Sequence, residues 1–388
     1  MVRSFHVSNH EIIRLNRSKS LLIRYLIADF LYNHHISNVA EQDAEDAKIV
    51  HRCLQLIDIH TGGSDCTAID VKDCGTAYRF LLSVLAITPG NWFLTGTHWL
   101  INRPISPVIQ ALKSIHADIR ETDEGLYIVG KELHAIELTI DGRESSQYAS
   151  SLLLIADKIG AQHIHISPET ASFPYITMTR CVLEIVKSHP TYEVESDWST
   201  AAFWYAFLLL SDLEELTLEN LHLNSIQGDS IVAEWFSEMG IASTQSGNDL
   251  RITKNNMGEL PSLCLSFLDY PDLAPVLAVA AVLSPFSLTM NGLQNLNHKE
   301  SNRLNILYKE LSPFAAVSMA TDSTLTIHKQ DIYVEDTVPL FFQTYRDHRW
   351  VMAFSLFALR YHIDLSDTAC VVKSYPQFKK YFCGNPQF

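Results

Sequence analysis

Three features of this sequence predict an α/β or α+β protein of two domains. Apolar runs of helical length alternate with short segments of strand character along the whole chain. Six of the runs start directly after a short polar cluster, so one supersecondary unit is repeated, at a spacing of roughly 50 to 75 residues. The length of 388 residues exceeds what one ordinary core holds and suggests two domains of about 150 to 200 residues.

In chain order the junctions are Ser18-Lys19-Ser20 before LLIRYLIADFL, Gly75-Thr76 before AYRFLLSVLAI, and Ser145-Ser146-Gln147 before YASSLLLIA. The other three are Asp197-Trp198-Ser199-Thr200 before AAFWYAFLLL, Pro271-Asp272 before LAPVLAVAAVL, and Asp347-His348-Arg349 before WVMAFSLFAL. Ser, Thr and Asp accept hydrogen bonds from the free N–H groups of a first helical turn. The nearly uncharged runs behind them predict helices buried on most sides. Strands are expected within 53–61, 115–130, 163–168, 215–223, 250–254, 286–292 and 323–329. Amphipathic second helices are expected at 107–117 and 303–311, and the segment KSHPTYEVESD (187–197) separates two helical stretches as a domain boundary.

A formal charge of −15 argues against a general nucleic-acid or membrane-surface binder, which needs a positive field. Any anion must be held by local cations. Seven dispersed cysteines, with no CxxC pair, read as reduced thiols of a cytoplasmic protein. The N-terminal MVRSFHVSNHEIIRL lacks a secretory pattern, and runs such as LAPVLAVAAVL fall short of the ~20 residues of a membrane span, so the expectation is a soluble protein.

The cations gather at or near the junctions. Lys19 falls in a first helical turn, where its charge opposes the helix dipole unless an anion sits beside it. Arg24 follows one turn later. Arg103 in NRPIS, Lys299 and Arg303 in HKESNR, His348 and Arg349 in DHR, and Lys373 in VKSYP complete the set. Guanidinium groups grip carboxylate or phosphate through two parallel N–H bonds, so several converging would hold a small molecule bearing both. If HKESNR is helical, Lys299 and Arg303 share one face. Asp272 and Glu300 supply carboxyl groups for proton transfer.

Taken in order, SKS…R, GTAxR, RPI, SSQY, SxPY, D-x-S, PD, KES-x-R, DHR and K-x-[YF]-P resemble 5-enolpyruvylshikimate-3-phosphate (EPSP) synthases from about Ser18 to Phe378. The resemblance implies transfer of the enolpyruvyl group of phosphoenolpyruvate to the 5-hydroxyl of shikimate 3-phosphate. Phosphate is released, with no metal or organic cofactor, on the shikimate pathway to chorismate and aromatic amino acids. It implies a two-domain enolpyruvyl-transferase fold, each domain built of three βαβαββ units and the two closing over the substrates. The domains would be 14–194 and 1–13 plus 195–388, in a protein that is commonly monomeric.

Carried over by position, the resemblance assigns Lys19, Ser20, Arg24, Ser145, Ser146, Gln147, Ser172, Tyr175, Asp272, Asn295 and Lys299 to shikimate 3-phosphate. It assigns Lys19, Gly75, Arg103, Gln147, Arg303, His348, Arg349 and Lys373 to phosphoenolpyruvate, with Arg79 nearby. Asp272 would be the leading proton acceptor, and Glu300 would protonate the methylene carbon with Lys19 assisting. Gly75 would leave room for glyphosate, so sensitivity to that inhibitor is expected.

The chain departs from the family pattern at several positions. Arg17 stands where glycine usually precedes SKS, Trp99 where a second arginine is usual, Asn302 for aspartate, Phe173 for lysine and Asp73 for asparagine. Loss of the cation at Trp99 suggests weaker affinity for phosphoenolpyruvate. Two other readings are a UDP-sugar enolpyruvyl transferase and a non-catalytic binding homologue. The first carries a loop cysteine before its RP motif, where this chain has HWLIN (98–102). Against the second, Lys19, Asp272, Glu300, Arg303, Arg349 and Lys373 are all retained.

Overall fold

Helix and strand alternate as expected, and the alternation has a repeated topology. The computed structural model describes residues 4–189, 192–255, 262–284, 286–299, 301–321, 323–328 and 339–383. The chain folds as two units, Lys19–Val194 forming one and Met1–Ser18 with Glu195–Phe388 the other, so residues 14–18 go with the second.

The first unit carries α1 (Lys19–Asn33), α2 (Glu45–His60), α3 (Gly75–Ile87), α4 (His98–Ile101), α5 (Ser106–Ser114), α6 (Ser146–Ile155) and α7 (Pro174–Ser188). Its larger sheet orders Cys66–Asp70, Gly90–Thr95, Gly125–Gly130 and Asp118–Thr122. The first two strands are parallel and joined across α3; the last two form an antiparallel hairpin. A second parallel pair, Glu137–Ile140 with His163–Ile166, is joined across α6.

The other unit repeats this plan with α8 (Trp198–Leu210), α9 (Val232–Glu238), α10 (Ala274–Leu283), α11 (Arg303–Leu311) and α12 (His348–Ser355). Leu263–Ser266 and Leu288–Asn291 run parallel across α10, followed by the hairpin Ala316–Thr321 and Thr324–His328. Glu11–Ile13 and Glu215–Leu218 are parallel and followed by the hairpin Ile241–Ser246 and Asp249–Lys254, with Lys19–Val194 inserted between the parallel partners. Leu340–Phe342 pairs in parallel with Ile363–Leu365 across α12.

All six apolar runs are helices, three to each unit: α1, α3 and α6, then α8, α10 and α12. Every residue of α10 is buried and α8 is buried except at Leu209. A helix covered on all sides needs no polar face, which is why these runs show no amphipathic period. Ser145, Asp197 and Asp347 cap their helices through their side chains as expected. At the second junction the cap is Cys74, whose Sγ accepts from Ala77 N at 3.4 Å. At the fifth no side chain caps α10; the 3-10 turn Pro271–Leu273 leads into it.

Two local expectations fail. Residues 53–60 belong to α2, not to a strand. Ala47, Val50, Cys53, Leu54 and Ile57 are buried at helical spacing, and that period overrides the strand preference of the isoleucines. HKESNR is not one helix either: Lys299 ends a 3-10 turn with extended ψ, and α11 starts at Arg303 behind the Asn302 cap.

Candidate active site

In the inserted unit the polar residues sit at the starts of α1, α3 and α6. Lys19 opens α1, and its ammonium lies 3.1 Å from Asp46 Oδ2 in the first turn of α2. A protein carboxylate therefore offsets the cation that the helix dipole disfavours. Arg24 is buried one turn on. Its Nη1 donates to the Ser20 carbonyl at 2.8 Å, Nε to Thr179 Oγ1 at 2.7 Å, and Nη2 to Ser150 Oγ and the Tyr175 carbonyl, each at 3.4 Å. The guanidinium also lies over the rings of Phe80 and Tyr175. Burial lowers its pKa to about 10.

At the start of α6, Ser145 Oγ accepts from Gln147 N and Ser146 is buried. The Gln147 side chain joins α6 to α3: Oε1 accepts from Arg79 Nη1 at 2.7 Å and Nε2 donates to Thr76 Oγ1 at 3.2 Å. Ser83 and Ser151 continue the join, their hydroxyls 2.6 Å apart. Gly75 is required by close approach, since a Cβ there would lie 2.8 Å from Arg103 Nη1 and 3.4 Å from Arg79 Nη1. Ser172 holds a left-handed φ of 58°, unusual for serine, while its carbonyl accepts from Tyr175 N at 3.1 Å.

In the other unit a charge cluster forms where α10, α11 and α12 begin. Asp272 receives Arg303 Nη1 at 2.7 Å, Lys299 Nζ at 3.5 Å and Arg349 Nη2 at 3.5 Å. Lys299 and Arg303 thus converge on one carboxylate, although the shared helix expected to align them is absent. Arg303 is 1% exposed, and its far edge forks onto fully buried Asp347, with Nε to Oδ2 at 2.9 Å and Nη2 to Oδ1 at 3.2 Å. Asp347 also accepts from Ser301 Oγ and caps Arg349 N, tying the start of α11 to that of α12.

Close to Asp272 lies Asp229, a buried carboxyl bonded to the Ser199 hydroxyl at the start of α8. Burial, and next the charge of Asp272, push its pKa up to about 7. Arg349 is held above its ordinary value: burial works against its charge, but Asp272 and Asp197 outweigh it. His348 is buried with Nδ1 3.8 Å from Asp347 Oδ1. Lys373 closes a 3-10 turn beside Cys370, whose thiol is pushed up to about 12 by burial and by the charges of Asp367 and Asp347, the lysine working against them. Asn295 lies in the 3-10 turn Gln294–His298, and Glu300 lies outside the described residues.

The family model for EPSP synthase (3-phosphoshikimate 1-carboxyvinyltransferase) matches residues 34–189 and 184–382. The chain belongs to the EPSP synthase family. It is 32% identical to the 3-phosphoshikimate 1-carboxyvinyltransferase of Bacteroides fragilis, over 94% of this chain and 93% of that one. Identity to the enzyme of the same name from Dehalococcoides mccartyi is 28%, covering 95% and 94%. In fold the chain resembles the EPSP synthase of Acinetobacter baumannii, with a TM-score of 0.70, 19% identity and coverage of 97% and 96%. It also resembles the enolpyruvyl transferase NikO of Streptomyces tendae, with a TM-score of 0.68, 14% identity and coverage of 98% and 96%. The two-domain enolpyruvyl-transferase fold expected from the sequence is therefore the fold of this EPSP synthase family member.

The departures from the family pattern have structural explanations in part. Asn302 caps α11, its Oδ1 accepting from Asn305 N at 3.1 Å, a role asparagine fills as well as aspartate. Trp99 sits on the short α4, 73% exposed, one turn before Arg103. Arg17 pairs as an isolated antiparallel bridge with Ser196. Nothing in the structure explains Phe173 or Asp73. Asp46, Asp229 and Asp347 were missed as site residues. Of these only Asp347 had a sequence signal, as the acidic residue before a helix opening with His-Arg. No described helix is long and apolar enough to cross a membrane.

Proposed function

We propose that this chain is a 3-phosphoshikimate 1-carboxyvinyltransferase. It moves the enolpyruvyl group of phosphoenolpyruvate to the 5-hydroxyl of shikimate 3-phosphate and releases phosphate, on the route to aromatic amino acids. The observation that carries this reading is the convergence of Lys299, Arg303 and Arg349 on Asp272. One carboxylate poised to take a proton, ringed by cations able to hold anionic groups, is what the reaction needs.

Within the inserted unit we assign Lys19, Ser20, Ser145, Ser146, Gln147, Ser172 and Tyr175 to shikimate 3-phosphate. Arg24 acts there by building the site, because its guanidinium is committed to α6 and α7. Lys19, Gly75, Arg103 and Gln147 take phosphoenolpyruvate. Within the other unit Asp272, Asn295 and Lys299 take shikimate 3-phosphate, and Arg303, His348, Arg349 and Lys373 take phosphoenolpyruvate.

Glu300, with Lys19 assisting, adds a proton to the methylene carbon, and positive charge develops at the adjacent carbon. The 5-hydroxyl attacks that carbon while Asp272 accepts the hydroxyl proton. The resulting adduct returns a methyl proton to the Glu300 carboxylate and expels phosphate, which carries off the proton held by Asp272, so the double bond and both carboxyl groups are restored. The arginines stabilise the phosphate as its charge grows. The chain works as a monomer in the cytoplasm on this reading.

The test is phosphate release and product formation by the purified chain with both substrates. Absence of turnover would sink the assignment. A finer outcome follows from Gly75: Gly75→Ala pushes the Arg103 guanidinium aside and should raise the KM for phosphoenolpyruvate about tenfold, roughly 1.4 kcal/mol. Stability should hold, since the displaced atom ends a flexible side chain. An unchanged KM would show that Arg103 does not bind this substrate.

A further inference from the structure

Asp46 belongs to no motif singled out in the sequence, yet it makes the described ion pair to Lys19. Its side chain is 4% exposed. Oδ2 faces the Lys19 ammonium at 3.1 Å, while Oδ1 is buried with no hydrogen-bond partner among the described residues. A buried carboxylate so weakly served by other donors depends on that ammonium for its compensation. The backbone of Asp46 is tied as well: its carbonyl accepts from Cys74 Sγ at 3.9 Å, and the same sulfur caps Ala77 N at the start of α3. One residue therefore links the cation opening α1 to the helix start that carries Gly75. Packing of α2 against both α1 and α3 supports the link.

We propose that Asp46 is a positioning residue for Lys19, fixing the ammonium in place and in its charged form beside the start of α3. The carboxylate touches no reacting atom. It acts through Lys19, whose catalytic role is the one assigned above. An ammonium facing an anion at this distance gives up its proton less readily, and it is aimed by the pair as a lone lysine would not be.

The experiment is the pH dependence of kcat in the full-length chain, with thermal melting to verify folding. Asp46→Asn should lower kcat by about 10²-fold, the low end for loss of a proton-transferring group. It should also move the alkaline limb about one pH unit lower, as expected when an opposite charge in contact is removed. Asp46→Glu, which keeps the charge, should hold the limb near its wild-type position. A wild-type kcat and limb in Asp46→Asn overturns the proposal.

Should Asp46→Asn fail to fold, Asp46→Ala is assayed with and without formate. Return of the limb with formate supports the role, and an unshifted limb without formate overturns it. Lys19→Ala in the same assay separates the failures. An active wild type with an active Lys19→Ala refutes the role of Lys19, whereas an inactive wild type refutes the functional assignment itself.

Discussion

Asp347→Ala should destabilise the unit containing it by about 3 kcal/mol, the low end for breaking a buried ion pair, because Arg303 loses its fork but keeps Asp272 on Nη1. The guanidinium of Arg303 is 1% exposed, so water cannot replace the lost fork. The same change removes the cap on Arg349 N and the acceptor of Ser301 Oγ. For a domain near 200 residues, each kcal/mol lowers the melting temperature by about 2–4 °C. A drop of about 10 °C is therefore expected by calorimetry. Asp347→Ala combined with Arg303→Met should be less damaged than the single substitution, because the under-compensated buried charge is gone. A single variant that melts within about 2 °C of wild type would show that the fork contributes little.

Asp272→Asn should abolish most activity while leaving the fold largely intact. A general base is worth about 10²–10⁴-fold, and kcat should fall by that range. The asparagine keeps an oxygen that can accept from Arg303 Nη1, and that buried guanidinium keeps its fork on Asp347, so no deeply buried donor is stranded. Removing the negative charge leaves Lys299, Arg303 and Arg349 without the carboxylate they share. Anionic ligands should then bind as well or better, so kcat falls while the KM for phosphoenolpyruvate does not rise. A rise in KM with kcat preserved would make Asp272 a binding group and move the proton to another residue.

The six helix starts were legible because capping and burial are written locally, in one polar cluster and the apolar run behind it. The repeat followed from them, and the strands after each helix followed from alternation. Residues 53–60 were misread because a short window of Leu and Ile favours a strand, while the helical period shows only when traced back to Ala47. Lys299 and Arg303 reach the same carboxylate by a turn rather than along one helix face. Asp46 lies 27 residues from the Lys19 it pairs with and Asp229 lies 43 residues from the Asp272 whose charge it feels, and no nearby pattern announces such approaches.

The route of the chain also sets an order of assembly. Strand Glu11–Ile13 must wait for Glu215–Leu218, and Ser4–Phe5 pairs with Phe382–Cys383 near the far end of the chain. Lys19–Val194, by contrast, contains both partners of each of its strand pairs. A ribosome making this protein releases one domain able to close early, during synthesis. The other holds Glu11–Ile13 unpaired until Glu215–Leu218 has been made, and Ser4–Phe5 until Phe382–Cys383 has. Loss of Phe382–Cys383 therefore strikes the domain to which Ser4–Phe5 belong.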